Sequence, residues 1–347
     1  MKYRRLPSGL EVSEVGLGLW SLVTDEWGAN TDVAEDVIRE ALRLGINFFD
    51  TADVYGRGKG EEVLSKALGP KIDDVAVLTK IGLDFYRCGR IRPNFDVGYL
   101  ETALSRSLER LNVGYVDILM LHNPTMDVIT RREVLDFMRD VKRSGRAKMI
   151  GVSLGPTVGW GDEGKAAAAM GYEALEYIFN MIEQLPGLEL LRLDGVAHII
   201  RTPHASDVLD EVRWPLKGSE RLHRGLKDPS WVEAALRKVN GLSEIAKREG
   251  LRLYELAIVY ILAFKNVHSV VPNMTSVSDL RRFVEAEERG SLREAVVDEV
   301  LNYWKANLTD LNTASIEETN RLKVKRMVDR PGLEPGTSAV RGRRSSS

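Results

Sequence analysis

Between Val15 and Phe283 the chain alternates short apolar runs with amphipathic stretches, and it does so eight times. The runs are VGLGLW, INFFD, VAVLTK, VDILMLH, KMIGVSL, LEYIFN, VAHIIRT and VHSVVPN. Apolar runs this short, separated by helical patterns, read as strands of a parallel sheet joined by crossover helices. Eight such units close on themselves, so the predicted class is α/β, a (β/α)8 TIM barrel. Thr31 to Leu44 shows the helical part of the rhythm: Val33, Val37, Ile38, Ala41 and Leu42 share one face, and Thr31 is placed to cap the start. Asp96 to Leu111 and Arg131 to Ser144 repeat the pattern.

The regions outside this rhythm have predicted roles of their own. KYRRLPSGLEVS reads as an N-terminal β-hairpin turning at Ser8 and Gly9, able to plug one mouth of the barrel. Leu209 to Val239 is long and carries Pro215, Gly218, Gly225 and Pro229, which suggests a lid or an inserted helix. After Asn312 the chain turns rich in Gly, Pro, Ser and Arg, ending VKRMVDRPGLEPGTSAVRGRRSSS. Residues 1–312 are therefore expected to form the barrel and residues 313–347 a disordered basic tail. We read that tail as a solvated extension in preference to a nucleic-acid or phosphate-binding arm.

Composition removes several function classes. Lys and Arg number 49 against 51 Asp and Glu, so no global field favours nucleic acid or an anionic membrane. No segment approaches the roughly 18 apolar residues of a membrane span, and the N-terminus lacks a run of signal-peptide length. The single cysteine, Cys88, excludes an internal disulfide and a thiolate metal cluster, and fits a reducing compartment; a cytoplasmic protein is expected. The five histidines show no metal-ligand spacing, so no metal is expected. No heptad pattern appears, and a monomer or weak homo-oligomer is the default expectation.

Four polar residues stand at the ends of three successive strand candidates, where barrel enzymes place their chemistry. Asp50 and Tyr55 follow INFFD, Lys80 ends VAVLTK and His122 ends VDILMLH. A phenol with a pKa near 10 is a poor acid at neutral pH, but an adjacent ammonium stabilises its phenolate. Lys80 would lower the Tyr55 pKa in this way, and Asp50 would keep Lys80 charged against desolvation. His122 would hydrogen-bond a substrate carbonyl. Each residue alone has a plainer reading, as a buried ion pair, a packed histidine or a loop aromatic; four together at strand ends favour a catalytic group.

With these residues in place, FDTADVYGRGKGEEVLSKAL is very similar to the signature of aldo-keto reductases, and Asp50, Tyr55, Lys80 and His122 match the catalytic tetrad of that family one for one. The resemblance extends from about Arg5 to Leu308. It implies NAD(P)H lying across the C-terminal mouth of the barrel, hydride transfer to a carbonyl carbon, and a proton from the tyrosine to the oxygen. It needs no metal.

The same resemblance places the nucleotide contacts. Ser153 would hold the nicotinamide amide, although Leu154 stands where the family commonly has Asn. Glu176 falls where Gln is common and could accept from the amide nitrogen. Arg201 replaces a family aromatic and could stack on the nicotinamide through its planar guanidinium. Pro203 and Ser206 would belong to the loop that wraps the pyrophosphate, where Asp207 stands in place of a common glycine and would repel that group if it faced it. Pro272, Thr275 and Arg281, with Ser276 and Arg282 beside them, would approach the adenosine ribose, and an arginine there would bind a 2′-phosphate bidentately. NADP is accordingly preferred, with NAD possible.

A small-molecule carbonyl is the expected substrate. Trp20, Trp27, Phe85, Tyr86 and Trp214 could line an aromatic pocket, with Trp20 and Phe85 the foremost candidates beside His122. The alternative function is a nicotinamide-binding regulatory or redox-sensing module, like the channel-associated β-subunits of the superfamily.

Overall fold

The computed structural model describes residues 1–24, 30–86, 91–216 and 227–328. Its strands are β1 (Tyr3–Arg5), β2 (Glu11–Ser13), β3 (Leu17–Gly18), β4 (Phe48–Asp50), β5 (Ala76–Ile81), β6 (Leu83–Asp84), β7 (Arg92–Pro93), β8 (Val116–His122), β9 (Ala147–Ser153), β10 (Ala174–Ile178), β11 (Ala197–Arg201) and β12 (Val267–Val271). Each of the eight apolar runs supplies one strand of a single sheet ordered β12-β11-β10-β9-β8-β5-β4-β3, with parallel neighbours throughout. The two ends meet where Val15 bridges Val270: Gly16 N donates to Val270 O at 2.9 Å and Val270 N to Glu14 O at 2.8 Å. The fold is the (β/α)8 barrel.

The strands read as continuous apolar runs because both faces are covered. β5, β8 and β10 are buried along their whole length. Alternate residues, among them Phe48, Leu78, Ile118, Met120, Met149 and Ile199, fill the barrel interior; their neighbours pack against the helices. Leu6 and Val12 of the β1–β2 hairpin join the interior set, so the hairpin caps the barrel as expected. Arg4 fixes that cap by donating to the carbonyl oxygens of Leu262 and Phe264, at and just past the end of the helix Leu253–Leu262, and of Val267 at the start of β12.

Several sequence expectations need revision. The helix Thr31–Arg43 is capped by Asn30, whose side chain accepts from Asp32 N at 2.9 Å; Thr31 is already helical, and Val33 is turned to solvent. The folded body does not stop at Asn312. A helix runs Thr309–Val328, and it is held by polar anchors more than by apolar periodicity, which is why its pattern read as disorder. Asn312 exchanges hydrogen bonds with the Leu185 backbone at 2.7 and 2.9 Å, Thr319 donates to Val158 O, and Lys323 pairs with Glu163 at 2.8 Å. Residues 329–347, the greater part of the expected tail, lie outside the described residues.

The long segment after β11 does contain an inserted helix, Pro229–Lys238, capped by Asp228. Lys227 enters buried surroundings, where it pairs with Glu183 and donates to Ser315 Oγ at 2.7 Å, tying this segment to the C-terminal helix. Gly218 and Gly225 fall outside the described residues, as do Trp27 and Cys88. Among the described residues no helix is long and apolar enough to cross a membrane.

Candidate active site

Asp50 closes β4, Lys80 lies near the end of β5 and His122 closes β8, so all three project at the C-terminal mouth of the barrel. Tyr55 is brought back over that mouth by a tight turn, Tyr55–Gly58, in which Gly56, Arg57 and Gly58 have φ of 55°, 56° and 97°. Glycine at 56 also allows close approach, since a Cβ there would meet Val23 O at 2.5 Å. Lys80 Nζ then reaches Asp50 Oδ1, Thr51 O at 3.1 Å and Tyr55 OH at 3.2 Å. The His122 ring stands edge-on to Tyr55, with centroids 5.8 Å apart and planes at 79°. The four residues singled out in the sequence therefore converge.

Burial dominates their electrostatics. It pushes the Asp50 carboxyl up, Glu176 adds to the push and Lys80 opposes it, leaving the group at about 7. Burial also disfavours the Lys80 ammonium, but Asp50 and Glu176 more than offset that, so its pKa lies above the ordinary lysine value. The Tyr55 phenol is likewise raised: burial outweighs the stabilising effect of Lys80, and Asp50 and Glu176 add to the rise. The sequence-based expectation of a net lowering is thus reversed, because burial of the phenol outweighs the stabilisation that Lys80 gives a phenolate, and the two carboxylates beside that lysine add to the rise. Burial, with Lys80 and Arg201 nearby, holds the His122 imidazole well below its ordinary value, so it is neutral at physiological pH.

Glu176 occupies an unexpected place. It is buried, with Oε2 at 3.3 Å from Lys80 Nζ and Oε1 at 3.7 Å from Arg201 Nε. The family resemblance implied a contact with a cofactor amide; in the structure Glu176 lines the cleft and also contacts the lysine. Arg201 is similarly engaged, donating through Nη2 to Leu154 O at 2.9 Å and to Gly155 O.

A cleft of about 730 Å³ opens in front of these groups, lined by Trp20, Thr24, Asp50, Tyr55, His122, Asn123, Ser153, Glu176, Arg201, Thr202 and Asn273 among others. Ser153, Glu176, Arg201 and Trp20 thus share a wall with Asp50, Tyr55 and His122. Phe85 does not: its ring is buried against Ala52 and Val54 and stacks on Tyr86 at 4.0 Å, which removes it from the substrate wall. Trp214 is packed against the core, and Tyr86 OH accepts from Arg110 at 3.0 Å, so neither borders the cleft. Pro203, Ser206 and Pro272 are buried behind it. Asn123 and Thr202 escaped the sequence reading although both line the cleft with φ of 54° and 57°. An Asn directly after a strand-end His was the available signal, since Asn tolerates that conformation better than most residues.

The remaining nucleotide candidates are tied up by an internal charge network. Ala205, Ser206 and Asp207 have φ of 47°, 56° and 69°, which accounts for the glycine common at position 207. The Asp207 carboxylate pairs with Arg213 at 2.8 Å, an arginine that also meets Asp210 at 3.4 Å and Asp279 at 2.9 Å. Asp279 Oδ2 accepts from both Thr275 N and Thr275 Oγ1 at 3.0 Å, and its Oδ1 accepts from Arg282 at 2.8 Å. Arg281 reaches away, to Glu40 at 2.9 Å.

The aldo/keto reductase family model matches residues 14–306, the whole span that carries the barrel and this cluster. The chain belongs to the aldo/keto reductase family. It is 31% identical over 330 residues to the L-galactose dehydrogenase of Arabidopsis thaliana, covering 87% of this chain and 96% of that protein. It is 32% identical over 313 residues to a probable voltage-gated potassium channel subunit beta of Oryza sativa subsp. japonica, covering 81% and 89%. The holo form of the aldo-keto reductase AKR11C1 from Bacillus halodurans superposes with a TM-score of 0.73 at 27% identity, covering 87% of this chain and 96% of that one. Family membership makes the protein an oxidoreductase of small carbonyl substrates.

Proposed function

We propose that the protein reduces an aldehyde or ketone to the alcohol with hydride from NAD(P)H in the cytoplasm, with Tyr55 as general acid. The observation that carries this reading is the Tyr55 hydroxyl at 3.2 Å from the Lys80 ammonium, in the wall of the cleft and beside a neutral His122. The cleft volume is within the range of about 300–1,000 Å³ of small-ligand sites, and the His122 imidazole lines it, so a polar ligand has a neutral ring to meet there.

Bound in the cleft, a reduced nicotinamide supplies the hydride that the carbonyl carbon accepts. The protein supplies the rest. His122 donates an N–H to the carbonyl oxygen and orients it. Tyr55 releases its proton to that oxygen as negative charge develops, and the phenolate left behind is stabilised at once by Lys80. Asp50 and Thr51 O hold the lysine head in position.

The choice of nucleotide follows from Asp279. Thr275 and Arg282, the groups best suited to a 2′-phosphate, already serve an internal carboxylate, so an incoming phosphate would have to displace it and meet its charge. In this reading NADH binds at least as tightly as NADPH, in contrast to the NADP preference drawn from the sequence. Asp279→Asn, which keeps the shape and removes the charge, should raise NADPH affinity roughly tenfold, the scale of one hydrogen bond to a charged group, with NADH affinity within about threefold. Fluorescence titration of both nucleotides measures this; wild-type protein that held NADPH ten times tighter than NADH would refute it.

The function itself is tested by consumption of NADH and NADPH with a panel of aldehydes and diketones. Turnover of at least one member is expected, and failure of both nucleotides to bind at millimolar levels would overturn the proposal. The channel-subunit relative sustains a second reading, a nicotinamide-binding regulatory module. That reading gains if the nucleotide binds and no carbonyl is turned over.

A further inference from the structure

One ammonium at the centre of this site faces two carboxylates. Lys80 Nζ contacts Asp50 and lies 3.3 Å from Glu176 Oε2, and all three groups are buried. Asp50 alone would balance the lysine, and a second buried carboxylate is costly unless it serves a purpose. The charged and titratable groups around Tyr55 come from five strands: Asp50 from β4, Lys80 from β5, His122 from β8, Glu176 from β10 and Arg201 from β11, with Arg57, Lys59 and Glu62 in the outer wall. His122 is neutral, and the nearest contact of Arg201 to Glu176 is 3.7 Å, with its Nη2 spent on backbone carbonyls. Glu176 is therefore only loosely compensated by arginine and draws on Lys80.

A phenolate at Tyr55 would place a third negative charge on the same ammonium. Every share of the lysine field taken by Glu176 is lost to that phenolate, and the proton stays on the phenol. We propose that Glu176 is a positioning residue that acts through Lys80 to keep the Tyr55 hydroxyl protonated, making this centre a carbonyl reductase, and a weak alcohol dehydrogenase, through neutral and mildly alkaline pH. The inference rests on the Tyr55 reading above.

The two directions differ in what they ask of the tyrosine. In reduction, hydride from the reduced nicotinamide forms the new C–H bond, the carbonyl π bond opens, and the Tyr55 O–H bond breaks to protonate the oxygen; solvent then restores the phenol. In oxidation an alcohol O–H must lose its proton to a Tyr55 phenolate while its C–H hydride leaves to the oxidised nicotinamide. A protonated Tyr55 is ready for the first and must be ionised for the second. The directions of the pKa shifts agree: burial and the two carboxylates raise Tyr55, and Lys80 alone opposes them.

The test is the pH dependence of kcat/KM in both directions for wild type, Glu176→Gln and Tyr55→Phe. Glutamine preserves shape and leaves Lys80 paired with Asp50. The alkaline limb of the reduction profile should move to lower pH by about one unit or more, and alcohol oxidation near pH 8 should rise roughly tenfold, one unit of pKa being a tenfold change in the ionised fraction. Ultraviolet titration of tyrosine ionisation, with Tyr55→Phe as the blank, should show the same downward shift in the folded variant. Should Glu176→Gln fail to fold, Glu176→Met carries the same expectation. Turnover that survived in Tyr55→Phe would remove the acid role of Tyr55 itself. An inactive Tyr55→Phe, combined with a Glu176 variant whose limb stays in place while its rate falls uniformly, would overturn the Glu176 inference alone.

Discussion

Phenylalanine at position 55 is expected to lower kcat/KM for carbonyl reduction by about 10²–10⁴-fold, the range of general-acid catalysis, while nucleotide binding stays within about twofold. The change removes one oxygen. The ring keeps its packing against Ala52, Val54 and Phe85, and Lys80 keeps Asp50, Glu176 and Thr51 O. What disappears is the proton that must reach the carbonyl oxygen, together with the phenolate that Lys80 would receive. Steady-state reduction assays paired with fluorescence titration of the nucleotide measure the two quantities separately. A variant that bound nucleotide and reduced its substrate within tenfold of wild type would show that water or another side chain delivers the proton.

The barrel was legible because its strands are covered on both faces, so each announces itself as a mainly apolar run without polar alternation, such as VAVLTK or VDILMLH. The tetrad was legible because barrel geometry sends strand ends to a common mouth, and position along the chain then stands in for position in space. Charge pairing followed no such rule. Glu176 meets Lys80 across four neighbouring strands, and Arg213 gathers Asp207 and Asp210 from the loop after β11 and Asp279 from the first turn of the helix Val277–Glu288. Nothing in local sequence says which carboxylate takes which cation, so the pairing of Thr275, Arg281 and Arg282 with carboxylates of the protein itself was not foreseen. The same blindness reversed the direction of the Tyr55 shift, since burial of the phenol, with the carboxylates beside Lys80 adding to it, outweighs the benefit of that lysine. Phe85 and the helix Thr309–Val328 erred for a related reason: burial of a single ring and polar anchoring of a weakly periodic helix are decided by distant partners.

Replacement of Lys80 by methionine should be the most damaging change in the site, and its stability cost should depend on pH. Methionine fills the volume but leaves Asp50 and Glu176 buried without their shared cation. Removing one partner of a buried ion pair typically costs about 3–5 kcal/mol, unless the orphaned groups take up protons. Asp50 already stands at about 7 with the lysine present, and loss of the lysine, which lowers it, pushes it further up. The folded variant then binds more protons than its unfolded chain over the whole range between the ordinary carboxylate pKa near 4 and the raised native one. Its stability must therefore fall as pH rises through that range and recover toward acid, where the carboxyls are protonated in both states. Thermal unfolding at pH 5 and pH 8 should show a Tm deficit relative to wild type that is clearly larger at pH 8. Equal deficits at the two pH values would mean that the carboxylates are not held by Lys80, and with that the electrostatic account of Tyr55 would lose its foundation. Reduction by the same variant should fall at least as far as in Tyr55→Phe, because the phenolate that Tyr55 leaves behind would have no ammonium beside it.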